Sequence, residues 1–262
     1  MKAYQQYFSK CQDLFQKVQQ QGETIEAAAD VFAKSILAGR MVHVFGSGHS
    51  RIMVEEMWPR YGSFPGFNPI VELSLTFHNL VVGANGQRQA MFLENVSGLA
   101  ERILRNFDLS EEDSAFIISS SGCNMVPIEM AECFQRQNIK VVVLISSEHS
   151  EKSSSKHPAG KKLSDFADII LDTGAPVGDA MVYLEGLEMP VSPGSTVGGS
   201  MIVNAVKAEV AQRLIHAGQP PKALVSSAIL PAARVKEIFE SAYDEHAHRL
   251  AKLYAEVGGS MA

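Results

Sequence analysis

The chain is poor in cysteine, in long apolar runs and in positive charge. Its three cysteines, Cys11, Cys123 and Cys133, form no CxxC pair. An odd number without a spacing pattern excludes a disulfide framework and a thiolate-rich structural zinc site, and fits a reducing compartment. No segment reaches the roughly 18 consecutive apolar residues needed to cross a bilayer. The opening stretch MKAYQQYFSKCQDLFQKVQQQ is polar and Gln-rich, with no apolar core for export, so a cytoplasmic protein is expected. The formal net charge of −6 argues against a general nucleic-acid binder, which would present a basic face. A small anionic ligand stays open, because one pocket can be positive on an acidic protein.

What is present is enough for a substantial core: 262 residues, 46% of them hydrophobic. Residues 4–38 carry apolar positions at helical spacing, with Gly22 between two helices and Gly39 placed to stop the second. From there short apolar runs alternate with amphipathic stretches. The runs are Met41–Phe45, Pro69–Leu73, Ala115–Ile118, Val141–Ile145 and Asp168–Leu171. Helical patterns lie near 51–60, 95–106, 125–137 and 160–166. Buried strands separated by helices predict an α/β fold, a five-stranded parallel sheet in an αβα sandwich with helical additions at both ends. We read one domain over 1–262: N-terminal helices to 38, the core over 39–220, and a helical extension over 221–262. Residues 176–194 read as a hairpin or ordered loop, followed by a helix from about Thr196 to Ala217 and a last one over 232–255. The biased stretch SEHSEKSSSKHPAGKK reads as a surface loop.

In such a sheet ligands bind beyond the C-terminal strand ends, at the switch in strand order. The loop after the first strand is GSGHS, residues 46–50. Its glycines allow close approach of an anion, and the amides of the next helix would face it. A dinucleotide fingerprint wants glycine at position 51, where Arg51 stands, although Glu72 sits about where a ribose-binding acid would be. The loop after the third strand is Ser119-Ser120-Ser121-Gly122-Cys123-Asn124. Three hydroxyls, a glycine and an amide side chain at a helix N-terminus converge on one phosphate monoester. The bland alternative is that the serines only cap the helix.

These two loops, with VVVLISSEHS after the fourth strand, resemble the sugar isomerase (SIS) domain family over roughly residues 30–220. GSGHS…EEM, SSKHPAGKKL, DTGAPVGDA and a C-terminal DEH are closest to its poorly characterised phosphosugar-binding subgroup, related to phosphoheptose isomerases. The resemblance implies a phosphorylated-sugar ligand and a homo-oligomer, dimer or tetramer, with sites near the subunit interface. It places Ser119, Ser121 and Asn124 on the phosphate, with Ser120 between them, and Ser47, Gly48, His49 and Ser50 in the first loop. Phosphoheptose isomerases of the family use a Glu after the first loop and a His on a late helix. Here Glu55 and Glu56 follow the loop about one helical turn early, and Glu56 matches the base by its place in the pair. The late-helix His is missing: Ser200 and Asn204 occupy that face. His49, His78, His246 and His248 are the substitutes, with His246 reaching a neighbouring subunit's site as the chosen acid. Lys152, Lys156, His157, Lys161 and Lys162 form a basic run at the ligand end of the sheet. Cys123 reads as a small residue lending its amide.

The function expected is phosphosugar binding, with enediol chemistry by an isomerase or a related lyase or deglycase. The alternatives are a non-catalytic sugar-phosphate sensor and, behind it, a dinucleotide-binding oxidoreductase. Neither of the first two requires a metal or other cofactor.

Overall fold

The computed structural model describes residues 1–76 and 87–255. Five runs rich in β-branched and aromatic residues pair in parallel: β1 (Val42–Gly46), β2 (Phe67–Ile70), β3 (Ser114–Ile118), β4 (Lys140–Ile145) and β5 (Ile169–Asp172), in the order β2-β1-β3-β4-β5. Val42 lies opposite both Phe67 and Ser114, and Ser114 opposite Lys140. Successive side chains point to opposite faces. Val42, Val44, Phe116, Ile118, Val142 and Leu144 therefore join the core on one face. Phe45, Ala115, Ile117, Val141, Val143 and Ile145 join the core on the other. A sheet buried on both sides explains why these strands read as continuous apolar runs.

One face is covered by α2 (Gly22–Leu37), α3 (Arg51–Met57) and α9 (Ser195–His216). The other is covered by α6 (Leu99–Leu104) and α7 (Met125–Arg136). The turn between α1 (Ala3–Gln19) and α2 reaches the open edge of β5. There the Gln21 amide donates to Asp172 O at 2.7 Å and accepts from Asp172 N at 2.8 Å, so one side chain does the work of a neighbouring strand. A Cβ on Gly198 would stand 2.0 Å from the Thr173 carbonyl oxygen, so α9 rests directly on the end of β5. Gly198→Ala must push α9 off that carbonyl. We expect a loss of roughly 1–3 kcal/mol from overpacking, read by denaturant titration.

The elements agree with the sequence reading in kind and differ at their ends. The second strand is Phe67–Ile70 rather than Pro69–Leu73, because Glu72 turns the chain into α4 (Leu73–Thr76) by accepting from Ser74 N and Oγ at 3.1 and 2.8 Å. Glu72 is thus occupied as a helix cap rather than held out for a ribose. Helix α3 stops at Met57, before Pro59, in keeping with the restriction proline places on the residue before it. The pattern at 160–166 is only a 3₁₀ turn, Leu163–Phe166, and that at 95–106 shortens to α6. The 176–194 segment is a hairpin of β6 (Ala180–Val182) and β7 (Val191–Pro193), and α10 (Ala232–Leu253) is the last helix. No described helix is long and apolar enough to cross a membrane.

Candidate functional site

The order 2-1-3-4-5 puts the switch point between β1 and β3, and a cavity of about 410 Å³ opens there. Its floor is the first loop, and a turn this tight needs glycine: a Cβ on Gly46 would meet the Ser50 carbonyl oxygen at 2.8 Å, and Gly48 has φ +57°. Ser47, Gly48, His49 and Ser50 all line the cavity.

The serine loop is held from behind. Ser146 N donates to Ser120 O at 2.9 Å, Leu163 N to Gly122 O at 2.8 Å, and Lys156 N to Cys123 O at 2.8 Å. In a trans peptide the N–H points opposite the C=O. The amides of Ser121 and Asn124 thereby point away from those partners, and Cys123 N donates to Ser121 Oγ at 3.3 Å. Ser119, Ser120, Ser121 and Asn124 line the cavity at the N-terminus of α7. Asn124 is the N-cap residue, and its side chain makes no capping bond, while the Ser119 hydroxyl accepts from Gly122 N at 3.3 Å. The Ser120 hydroxyl is buried with no hydrogen-bond partner among the described residues. The segment SSSKHPAGKKL is therefore the strap behind the serine loop. Lys162 Nζ caps the end of α8 (Ser147–Lys152) at Ser150 O, 2.5 Å away. Among the described residues no lysine or arginine lines the cavity. Cys123 is buried, and burial pushes its thiol upward, offset only in part by the charges of Lys162 and Lys156 and a bond with Ser150.

Neither carboxylate that the sequence singled out lines the cavity. Glu55 lies on the outer surface, its side chain paired with Arg51 at 2.5 Å. Glu56 faces away from the cavity, hydrogen-bonded to Arg60 and accepting from Asn204 Nδ2 at 2.9 Å. Burial alone would raise its pKa, but those two bonds and the charges of Arg60 and Lys207 bring it below the usual carboxylate range. His246 packs on Trp58 of its own chain, ring centroids 5.1 Å apart, with Nδ1 buried and unpartnered among the described residues. Burial and the nearby Arg249 charge lower its pKa. His248 is exposed, and His78 lies outside the described residues. Of the histidines proposed from sequence and described in the structure, only His49 lines the cavity.

Three residues in the cavity were missed. Glu94 follows α5 (Gln87–Leu93) and accepts from Ser47 Oγ at 2.9 Å and Asn124 Nδ2 at 2.8 Å, so it bridges the first loop and the serine loop. Burial pushes its carboxyl upward, and those two bonds offset the effect only in part. His149, on α8, accepts from Gly178 N at Nδ1. Asp179 lines the far end and caps α9 by accepting from Ser195 N at 2.6 Å and Ser195 Oγ at 2.8 Å. Glu94 lies in a stretch where the sequence offered no motif, and Asp179 lies within DTGAPVGDA without having been singled out. His149 lies within VVVLISSEHS and the biased stretch that follows, and was not singled out as a site residue. Among the described residues no group of three His, Cys, Asp or Glu could hold a metal ion.

Two phosphate-type loops at the β1/β3 switch, on this sheet order, point to one family, and a SIS domain profile matches residues 6–146. The chain belongs to the SIS domain family. The SIS match and the UPF0309 relatives together span most of it. A UPF0309 protein of Geobacillus thermodenitrificans is 31% identical over 252 residues, 96% of this chain and 94% of the relative. Another from Halalkalibacterium halodurans is 32% identical over 224 residues, 86% of this chain and 89% of the relative. Among solved structures, a phosphoheptose isomerase from Francisella tularensis superposes with a TM-score of 0.51 at 13% identity, over 81% of this chain and 100% of that one. At that identity the likeness shows a shared fold.

Proposed function

We propose that this SIS protein binds a sugar phosphate with its serine loop and catalyses enediol chemistry on it, as an aldose–ketose isomerase or a related lyase or deglycase, with Glu94 as the base. The observation that carries the reading is the carboxylate of Glu94, held between the two anion loops in a part-buried position. The phosphate sits against Ser119, Ser120, Ser121 and the α7 N-terminus, where hydroxyls, turned amides and the helix dipole offset its charge. A base must stand over the carbon next to the carbonyl, with a pKa near the working pH. Burial moves Glu94 in that direction, whereas Glu56 is moved the other way.

Incubation with a panel of sugar phosphates in deuterated water tests the reading. Proton exchange at the carbon next to the carbonyl is the expected result. Tight binding without exchange would make the protein a sensor instead. In the same panel, Ser121→Ala is expected to weaken binding by roughly 1.5–3 kcal/mol, the worth of a hydrogen bond to a charged group. Unchanged affinity in calorimetry would move the phosphate off this loop.

We also propose a homo-oligomer. Phe32 is buried against Phe116 with ring centroids 5.3 Å apart, but Tyr4, Phe8 and Phe15 on α1 are all more than half exposed. An apolar stripe of that kind marks an interface. Light scattering at micromolar concentration is expected to give at least twice the monomer mass.

A further inference from the structure

The proposed base leaves the other half of the chemistry unassigned. When a C–H bond next to a carbonyl breaks, its electron pair becomes the new C=C bond. The carbonyl π pair then moves onto oxygen, and that oxygen needs a donor. No candidate came from the late helix, where Asn204 is tied to Glu56 and Ser200 O.

His149 meets the need by geometry. It lies on the cavity wall formed after β4, while Glu94 lies on the wall formed after β2, so the serine loop after β3 runs between them. Its placement is fixed at three points. The His149 amide donates to Ser146 Oγ at 3.4 Å, its carbonyl accepts from Ser153 Oγ at 2.8 Å, and ring Nδ1 accepts from Gly178 N at 3.0 Å. Ser146 Oγ also donates to Ala175 O at 2.7 Å, which binds α8 to the same loop that carries Gly178. Two glycines shape that loop, Gly174 with φ +71° and Gly178 with φ +78°. A backbone N–H can only donate. Nδ1 must therefore be the acceptor nitrogen, and the ring proton of the neutral imidazole sits on Nε2. No described residue accepts from Nε2.

We infer that His149 is the catalytic hydrogen-bond donor of this site, a neutral imidazole whose Nε2–H is directed at the substrate oxygen by the Gly178 amide. The inference rests on the enediol reading above. In the step, Glu94 takes the proton from carbon and becomes a carboxylic acid. The carbonyl oxygen takes the electron pair and is held by Nε2–H, and the proton of the neighbouring hydroxyl moves to it. Glu94 then returns its proton to the adjacent carbon, so the atoms and electrons of the substrate are conserved. A neutral donor of this kind stabilises a developing oxyanion without supplying a full charge.

Two measurements on the full-length protein test this. The first needs no activity: ¹⁵N-edited NMR of the imidazoles at neutral pH, with His149→Gln for assignment. A pyrrole-type Nε2 and a pyridine-type Nδ1 are expected. A proton on Nδ1 would overturn the inference. The second is hydrogen exchange into the sugar phosphate that the wild-type protein turns over, with melting temperature as the control for folding. His149→Ala is expected to slow exchange by roughly 10²–10³, the loss seen for one oxyanion donor. His149→Gln places an amide N–H near the Nε2 position and is expected to recover a large part of that loss. Gln as inactive as Ala would overturn the donor role, since it would mean that His149 must carry a proton to and fro. Absence of exchange by the wild type with every sugar phosphate, alongside the Nε2–H tautomer, would defeat the enediol reading and the catalytic role with it.

Discussion

Glu94→Gln is expected to lower turnover by roughly 10²–10⁴ while sugar-phosphate binding persists, the contribution of a positioned general base. Glutamine keeps the length and an acceptor oxygen for Ser47 or Asn124, and removes only the ionisable group. The pH profile should show the same residue. Burial raises the Glu94 pKa, so the carboxylate form needed for catalysis is lost as pH falls, and kcat/KM should decline on the acid side. Stability runs the other way. A carboxyl whose pKa is raised in the fold stabilises fully below its unfolded value, and that contribution disappears as pH rises through the folded one. At neutral pH wild type therefore carries a part-buried charge that the variant lacks. Thermal unfolding should show Glu94→Gln at least as stable as wild type. Full turnover in Glu94→Gln, with loss in Glu56→Gln, would return the base to α3.

Asp113→Ala is expected to be among the most destabilising single changes in the chain, by about 3–5 kcal/mol, the cost of breaking a buried ion pair from one side. Asp113 is 2% exposed. It accepts from Arg40 Nε and Nη2 at 3.0 and 2.7 Å, from Met41 N at 3.1 Å and from Ser110 N at 2.9 Å. His43 Nε2 lies 3.4 Å away on β1, its Nδ1 facing Asn68 Nδ2 at 3.0 Å and its ring stacked on Phe134. Truncation strands an arginine and two amides around an apolar wall. Burial alone would raise the Asp113 pKa, but the His43 ring 3.4 Å away, the Arg40 bonds and the Met41 amide bring it down to about 2. A depressed carboxyl contributes stability above its unfolded pKa and loses it as pH falls through the folded one. Wild type should thus lose about 2 kcal/mol between its unfolded value of 3.8 and about pH 2, a loss absent from Asp113→Asn. Chemical denaturation along a pH series reads both effects.

The network around Asp113 shows why parts of the molecule escaped the sequence reading. His43 sits among Val42, Val44 and Phe45 and is as buried as they are, yet nothing in a strand's alternation says which polar partner it will meet. The same holds for Lys207, which is 5% exposed on α9 and donates to Glu56 O and Ser63 Oγ at 2.7 and 3.0 Å. The helical period placed it on a face but not against a carbonyl 151 residues away. Glu55 and Glu56 were chosen because they follow the first loop. Position on a helix beginning at the loop, however, does not settle rotation about its axis, and residues one apart diverge by about 100°.

By itself the sequence determined the class of fold, the strand and helix order, and the glycine- and serine-rich loops at the switch point, because each depends on short-range chemistry. Period-two and continuous apolar runs make strands, glycine permits the tight turns, and hydroxyls with a helix N-terminus make an anion site wherever they occur together. Only the tertiary structure decided which ionisable groups face that site. Glu94 reaches Ser47 and Asn124 across 47 and 30 residues of chain, and His149 meets Gly178 across 29. Those meetings depend on how the strand ends are ordered side by side. A carboxylate acquires its altered proton affinity, and an imidazole its tautomer, only from the neighbours that packing brings.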